Sequence, residues 1–264
     1  MLQSHFNTEK KASPFFSILT ATFNNEAGLK KTLESVKAQT FRDLEHIVID
    51  GGSTDSSVSL LREFEGTYNL TWISEPDQGI ADALNKGIRR AKGKYLIAIH
   101  ANDRLSHPTT LQEIYPLLKD ETNDVVCFPV ILEHPALGQR VYAPEPLWKI
   151  RIKQVLPHQG SFIHRRLHEE IGDYNPDFSI ALDYDFFYRA IMAGKKIATG
   201  RLPVTLMDAT GVGSRAETRL RRRKENFQAR FLHERNFFWR LIHRVAFGIR
   251  VQWPIMAQQY RGHT

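Results

Sequence analysis

The strongest constraint on this chain is an alternation of short apolar runs with amphipathic stretches across its first hundred residues. Phe15–Thr20 (FFSILT), Leu44–Ile49 (LEHIVI), Leu70–Ile73 and Tyr95–Ile99 (YLIAI) are of strand length and rich in β-branched and aromatic residues. Helical patterns separate them. Glu26–Gln39 carries Leu29, Leu33 and Val36 at helical spacing, and a segment started by Ser53-Thr54-Asp55 carries Val58, Leu61 and Phe64. Ile80–Ala91 sets Ala83, Leu84, Ile88 and Ala91 on one side. Asn25 is placed to cap the first helix, with Glu26 in its first turn, while Gly51 and Gly52 break the second strand and Gly93 stops the third helix. This order predicts an α/β fold with an open, mostly parallel sheet and helices on both faces. Right-handed crossovers bring the carboxyl ends of such strands to one edge, where ligands bind. Just past those ends stand Thr22 to Asn25, Asp50 to Asp55, Ser74 to Gly79 and His100 to Asp103, a polar and acidic set.

That set narrows the chemistry. Thr22-Phe23-Asn24-Asn25 stands where a nicotinamide dinucleotide site would have Gly-x-Gly-x-x-Gly, and no Walker-type phosphate loop occurs. A nucleotide on this sheet would need carboxylates for its base and a metal ion for its diphosphate. Asp50 lies beside two glycines that permit close approach, and its carboxylate can accept the imino proton of a pyrimidine. Mg2+ or Mn2+ takes oxygen ligands and bridges to phosphates through one or two protein carboxylates, and Asp103 is the candidate for that task. Cys127 is the single cysteine, which excludes an internal disulfide and a thiol-built zinc cluster and makes a buried, inert thiol the expectation.

Beyond Asp103 the periodicity loosens. Val125–Leu132 reads as a strand, Glu133 to Pro157 as irregular or hairpin-like, Phe162–Arg165 as a strand and Ala181–Met192 as a helix with Phe186, Phe187 and Ala190 inward. Thr218 to about Val251 reads as one long basic helix or a pair, with Phe227, Phe231, Phe238, Leu241, Ile242, Val245 and Ile249 near one face. Residues 215–264 hold 12 of the 36 Lys and Arg but 3 of the 29 Asp and Glu, so the formal charge of +7 belongs to this tail and the body is slightly acidic. Two readings of the tail stay open. It packs on the body with its charges solvated, or it lies on an anionic membrane surface with Phe and Trp at the interface. Arg221–Arg223 would suit phosphates of a nucleic acid, but no nucleic-acid motif accompanies them and that partner is not expected. No run of about 18 apolar residues is present, and the polar lead Met1–Ser13 does not resemble a signal peptide. The expectation is a cytoplasmic protein, with or without peripheral attachment to the inner face of the cell membrane.

The motifs in order resemble the family 2 glycosyltransferases with the GT-A fold, a Rossmann-like sheet, and most nearly the bacterial surface-polysaccharide branch. The resemblance is carried by Ser17–Asn25 (SILTATFNN), Thr32–Thr40 (TLESVKAQT), Ile47–Asp55 (IVIDGGSTD), Ser74–Gly87 (SEPDQGIADALNKG), Ala91–Tyr95 (AKGKY), Ile99–Leu105 (IHANDRL), Pro157–Gln159 (PHQ) and Leu182–Arg189 (LDYDFFYR), within about residues 15–200. It implies a lead at 1–13, a glycosyltransferase domain at 14–214 with a nucleotide half to about 105 and an acceptor half beyond, and a basic tail at 215–264. It implies that the Thr22 turn with Asn24, Asp50 and Gly52 holds the base and ribose, usually uridine, and that Asp82 lies near the ribose or diphosphate. Asn102 and Asp103 occupy the Asp-x-Asp-like metal motif, with Asn102 where many members have an acid. His158 and Gln159 match a pair on the sugar side, and Asp183 matches the catalytic base, preceded here by Leu182 instead of the common Glu. The implied reaction is inverting transfer from a nucleotide-sugar donor, with Mn2+ or Mg2+ as cofactor, to a saccharide or lipid-linked saccharide acceptor in polysaccharide biosynthesis.

Other readings accompany this one. A sugar nucleotidyltransferase shares the sheet-and-acid arrangement but usually has a Gly-rich, Lys- or Arg-bearing first loop, which Thr22–Asn25 is not. A non-catalytic binder of sugar nucleotides or nucleic acid is opposed by the joint presence of Asp50, Asp103 and Asp183. Asp185 is expected to be structural, paired with Arg189 one turn on, and Asp173 and Asp177 to flank a turn. Asp208 and the loop Gly211-Val212-Gly213-Ser214 are further candidates for contact with the diphosphate.

Overall fold

The computed structural model of the chain describes residues 13–211 and 218–252. The N-terminal lead before residue 13, Val212-Gly213-Ser214 and residues 253–264 therefore lie outside the described residues. The first half runs β1 (Phe16–Thr22), α1 (Glu26–Lys37), β2 (Leu44–Asp50), α2 (Ser57–Phe64), β3 (Leu70–Ser74), α3 (Ile80–Arg90) and β4 (Tyr95–Ala98). β1 pairs in parallel with β2 and with β4, and β2 pairs in parallel with β3. Every residue of β2 and nearly every residue of β1 is buried, because helices cover both faces of the sheet. The Asn25 side chain accepts a hydrogen bond from the Gly28 amide at 3.1 Å and caps α1 as expected. β1 continues to Thr22, which is its last strand residue and not part of the turn.

The second half holds β5 (Arg104–Leu105), α4 (Thr110–Leu118), β6 (Val125–Cys127), β7 (Val130–His134), β8 (Gly138–Tyr142), β9 (Ser161–His164), α5 (Arg165–Ile171), α6 (Leu182–Met192), β10 (Ile197–Thr199) and β11 (Thr205–Asp208). The main sheet has the order β10-β6-β9-β4-β1-β2-β3, and β9 enters antiparallel between β4 and β6. A smaller sheet has the order β5-β11-β7-β8. Its existence corrects the expectation of one strand over 125–132. That run breaks at Phe128-Pro129 into two strands serving different sheets. Phe128 still donates to the Gly160 carbonyl at 2.8 Å, but Pro129 has no amide hydrogen and only accepts, from Val204 at 3.1 Å. The hairpin expected after Glu133 is formed by β7 and β8.

The tail forms two helices, α7 (Arg219–His233) and α8 (Phe237–Phe247), the second prolonged by a π-helical turn at Gly248–Gln252. The chain leaves the helical conformation at Glu234, and the Asn236 side chain starts α8 by accepting from the Trp239 amide at 3.2 Å. The single apolar face expected across 227–249 does not exist: Phe227 is buried between α7 and α8, with the Phe247 ring 5.4 Å away, whereas Phe238, Leu241, Val245 and Ile249 are exposed.

Candidate active site

The carboxyl edge of the main sheet carries three groups of polar residues. The first surrounds Asp50, which stands in register with Thr22 across the β1–β2 pair. Asp50 is fully buried and accepts from the Ser53 amide at 2.9 Å, from the Ser74 hydroxyl at 2.6 Å and from the Ser53 hydroxyl. Its oxygens thus tie the loop after β2 to the end of β3. Asn24, left-handed at φ 47°, accepts from the Thr54 amide at 2.8 Å and donates its own amide to the Ser53 hydroxyl at 2.8 Å. Gly52 has φ +83°, and a Cβ on Gly51 would lie 2.5 Å from an Asp77 oxygen, so glycine is what lets the 75–77 segment approach. The Thr22 hydroxyl is buried without a hydrogen-bond partner among the described residues. Asp82 accepts from the Gln78 amide at 3.2 Å and pairs with Lys86 at 3.3 Å, which stabilises the first turn of α3.

The second group surrounds Asp103. One carboxylate oxygen accepts from the Asp208 amide at 3.0 Å and the other from the Gln159 side chain at 3.2 Å. Asn102, left-handed at φ 88°, donates to the Asp208 carboxylate at 2.5 Å and accepts from Lys31 at 3.1 Å. Burial pushes the Asp103 carboxyl up to about 7, against the hydrogen bonds from Asp208 and Gln159 that favour its ionised form. Burial also acts upward on Asp208, but hydrogen bonds from Thr210 and Asn102 outweigh it and hold that carboxyl below its usual range. An open cleft of about 930 Å³ borders this group, lined in part by Lys31, Asn102, Arg104, His134 and Asp208.

The third group surrounds Asp183 in the first turn of α6. The Gln154 side chain donates to one oxygen at 2.8 Å and the Tyr184 amide to the other at 2.7 Å. Burial raises the Asp183 carboxyl above the ordinary carboxylate range. The electrostatic influence of Asp183 reaches His100, whose ring centroid lies 5.9 Å from that of His158. His158 meets the Tyr174 hydroxyl at 2.7 Å, and Tyr174 is held in turn by a two-way hydrogen bond with Asn85 of α3, at 2.8 and 3.0 Å. Burial lowers His100 to about 3 and His158 to about 4, so both rings are neutral and weak proton acceptors near pH 7. The start of α6 is fastened from the tail. Ala181 has no capping side chain, and Glu225 of α7 accepts from the Ile180 amide at 2.8 Å, the Ala181 amide at 2.9 Å and the Ser179 hydroxyl at 2.8 Å.

Two short backbone links join the second and third groups. The Asp103 amide donates to the His100 carbonyl at 2.9 Å, and His158 and Gln159 are adjacent in a 3-10 turn. Asp103 therefore lies beside the His100–His158 pair, and Asp183 is near enough to His100 for its charge to act on that ring. Asp50 and Thr22 sit farther along the same edge, and no direct hydrogen bond among the described residues joins them to either acid. His100, Gln154 and Tyr174 were not picked out as site residues from sequence. His100 lay inside a quoted motif, but Gln154 and Tyr174 sit in irregular segments with no periodic signal. Asp185 pairs with Arg189 at 3.0 Å and with His233 at 2.7 Å, the structural role expected of it. Cys127 is buried, and burial pushes its thiol up to about 12, which leaves it unreactive.

Comparison with known proteins agrees with this architecture. The glycosyl transferase family 2 model matches residues 17–172. The uncharacterized glycosyltransferase Rv1514c of Mycobacterium tuberculosis is 38% identical over 210 residues, covering 78% of this chain and 79% of its own. The PGL/p-HBAD biosynthesis glycosyltransferase Rv2957 of the same organism is 33% identical over 181 residues, covering 67% and 70%. Among solved structures, Staphylococcus aureus TarS 1-349 in complex with UDP-GlcNAc superposes with a TM-score of 0.67 at 16% identity, over 84% of this chain and 68% of that one. The mannosyltransferase PcManGT from Pyrobaculum calidifontis, in complex with GDP-Man and Mn2+, gives 0.64 at 20% identity over 96% and 80%. At these identities the two structures bear on the fold alone.

Proposed function

The chain belongs to glycosyltransferase family 2 and has the GT-A fold; from that premise we propose that it transfers a sugar from a nucleotide diphosphate donor, with inversion, to a hydroxyl of a saccharide or lipid-linked saccharide. The observation that carries this reading is the clustering of Asp103 with His100, His158 and Gln159, with Asp183 near enough to His100 for its charge to act on that ring. An acid suited to the leaving group and an acid suited to the incoming hydroxyl then flank the same histidine pair.

Each residue has a task in this scheme. The unpartnered Thr22 hydroxyl, with Asn24 and Gly52, meets the base and ribose, uridine being the expected nucleoside. Asp50 supports this contact by holding the Ser53 loop against Ser74. Asp82 stands at the start of α3 on the ribose or diphosphate side, and Gln159 orients the Asp103 carboxylate while His158 shapes the sugar side. Asp183 takes the proton of the acceptor hydroxyl as its oxygen attacks the anomeric carbon. Burial makes Asp183 a stronger base than a solvated carboxylate, while Gln154 and the Tyr184 amide keep its ionised form aimed. Leu182 is buried in the main core and has a packing role.

The donor set around Asp103 fits a divalent ion. It offers only hard oxygens, with Asp208 as a second carboxylate, and among the described residues no group of three or more His, Cys, Asp or Glu forms a closed metal cage. Mn2+ or Mg2+ commonly binds through one or two carboxylates, the rest of its shell being phosphate and water. Asp103, with Asp208 and Asn102 beside it, would hold the ion, which supplies Lewis-acid stabilisation of the diphosphate leaving group when bound. In this reading the acceptor is a saccharide or lipid-linked saccharide of polysaccharide biosynthesis, and the basic tail would meet the anionic membrane surface that presents it.

Asp183→Asn tests this reading. Transfer should fall by about 10²- to 10⁴-fold while thermal shifts by UDP-GlcNAc or GDP-Man, with and without Mn2+, stay near those of the parent. Turnover close to normal would remove Asp183 from the role of base.

A further inference from the structure

α8 presents its apolar side to solvent. Phe237, Phe238, Leu241, Val245 and Ile249 are 50 to 81% exposed and Ile242 is 36% exposed. At 3.6 residues per turn these six fall on one arc of about 140°. The opposite side faces the body through Trp239 and the buried His243, and Arg151 lies over the Trp239 ring at 5.7 Å. Arg240 and Arg244 run along one border of the arc, Arg235 and Arg250 stand at its ends, and all four are exposed. No acidic residue occurs between 235 and 252. Trp148 and Ile152, in the segment whose Arg151 meets Trp239, are exposed as well, at 61% and 43%.

We infer that this face of α8 docks into the headgroup layer of a bilayer rich in anionic lipid, its Phe, Leu, Ile and Val side chains at the acyl boundary and its arginines on the lipid phosphates. Charge selects the occupant. A second copy placed face to face would set these arginines against their own equivalents across a two-fold contact, whereas anionic headgroups neutralise them. No helix among the described residues is long and apolar enough to cross a membrane, so α8 lies on the surface in this arrangement.

The tail is also connected to the site. Arg230 of α7 donates to the Ile152 carbonyl, and Gln154, two residues on, donates to Asp183 at 2.8 Å. The 152–154 segment thus ties α7 to the hydrogen bond that aims the proposed base.

The inference deepens the membrane part of the proposed function, and its test needs no sugar chemistry. Full-length protein is sedimented with vesicles of phosphatidylcholine alone or mixed with phosphatidylglycerol. Binding is expected to the mixed vesicles and to weaken with salt. Phe238→Ser/Leu241→Ser/Val245→Ser should lower the bound fraction about tenfold with Tm unchanged, and Arg240→Gln/Arg244→Gln should lower it on the anionic vesicles. Equal binding by the serine variant, or none by the parent, overturns the inference. So does a parent dimer that the serine variant turns monomeric without vesicle binding, which assigns the face to a second copy. Asp183→Asn should sediment like the parent, so the membrane and catalytic readings can fail separately.

Discussion

α7 and α8 are successive basic helices with opposite relations to the rest of the molecule. α7 turns polar groups inward: Glu225, Arg230 and Glu234 are 3 to 6% exposed, and their partners lie on or beside α6. Arg230 donates to the Tyr184 hydroxyl at 2.6 Å, and Glu234 accepts from the Tyr188 hydroxyl and from Arg151, both at 2.8 Å. α8 turns apolar groups outward. Amphipathic spacing marks both helices, but it does not say which face meets the body. α6 offers α7 a row of tyrosine hydroxyls and unpaired amides, so polar side chains of α7 gain more by facing it than by facing water. α8 meets few such partners and leaves its apolar arc uncovered.

Substitutions can break or sharpen this contrast. The largest effect on stability is expected from Glu234→Ala, which strands Arg151 and the Tyr188 hydroxyl; urea unfolding should show a loss of about 3–5 kcal/mol. An unchanged midpoint would mean that the α6–α7 seam is not structural. Glu225→Ala removes the acceptor for the Ile180 and buried Ala181 amides at the start of α6, and a smaller loss of about 2 kcal/mol is expected. Because α6 bears Asp183, kcat should fall more than KM changes, and Glu225→Gln should restore part of it.

The same carboxylate predicts a pH dependence. Burial pushes Glu225 up, but its hydrogen bonds with Ala181, Ile180, Ser179 and Arg221 outweigh burial and hold it below the ordinary value of 4.5. A depressed native value stabilises the fold above the unfolded value and loses that contribution as pH falls through the native one. The Tm gap between the parent and Glu225→Gln should be full at pH 6 and close below about pH 4.5. A gap that stays constant to pH 3 would show that the charge contributes nothing. The smallest effect belongs to α8, where Phe238→Ser should change stability by no more than about 0.5 kcal/mol. A larger loss would mean that the exposed arc of α8 packs against something and that the contrast between the helices fails.

The first hundred residues were legible because their physics is local. β1, β2 and β4 are largely apolar runs buried on both faces, each helix has its own periodicity, and a cap such as Asn25 acts over three residues. The second half was less so. β5 has two residues, and β6 and β10 have three each, too short for any period to show. Pro129 splits an unbroken apolar run between two sheets, a division that depends on where Gly160 and Val204 come to lie.

The sequence by itself determined the parallel α/β scaffold, the acid-bearing edge and the family, because these rest on periodicity and on motifs a few residues long. Tertiary structure alone decided which residues share the site. Gln154 meets Asp183 across 29 positions, Gln159 meets Asp103 across 56, and Asp208 meets Asp103 across 105. It also decided that one basic helix supports α6 while the next is left facing outward. A hydrogen bond between distant residues leaves no trace in local spacing, since its geometry exists only after the sheets have brought both partners to the same edge.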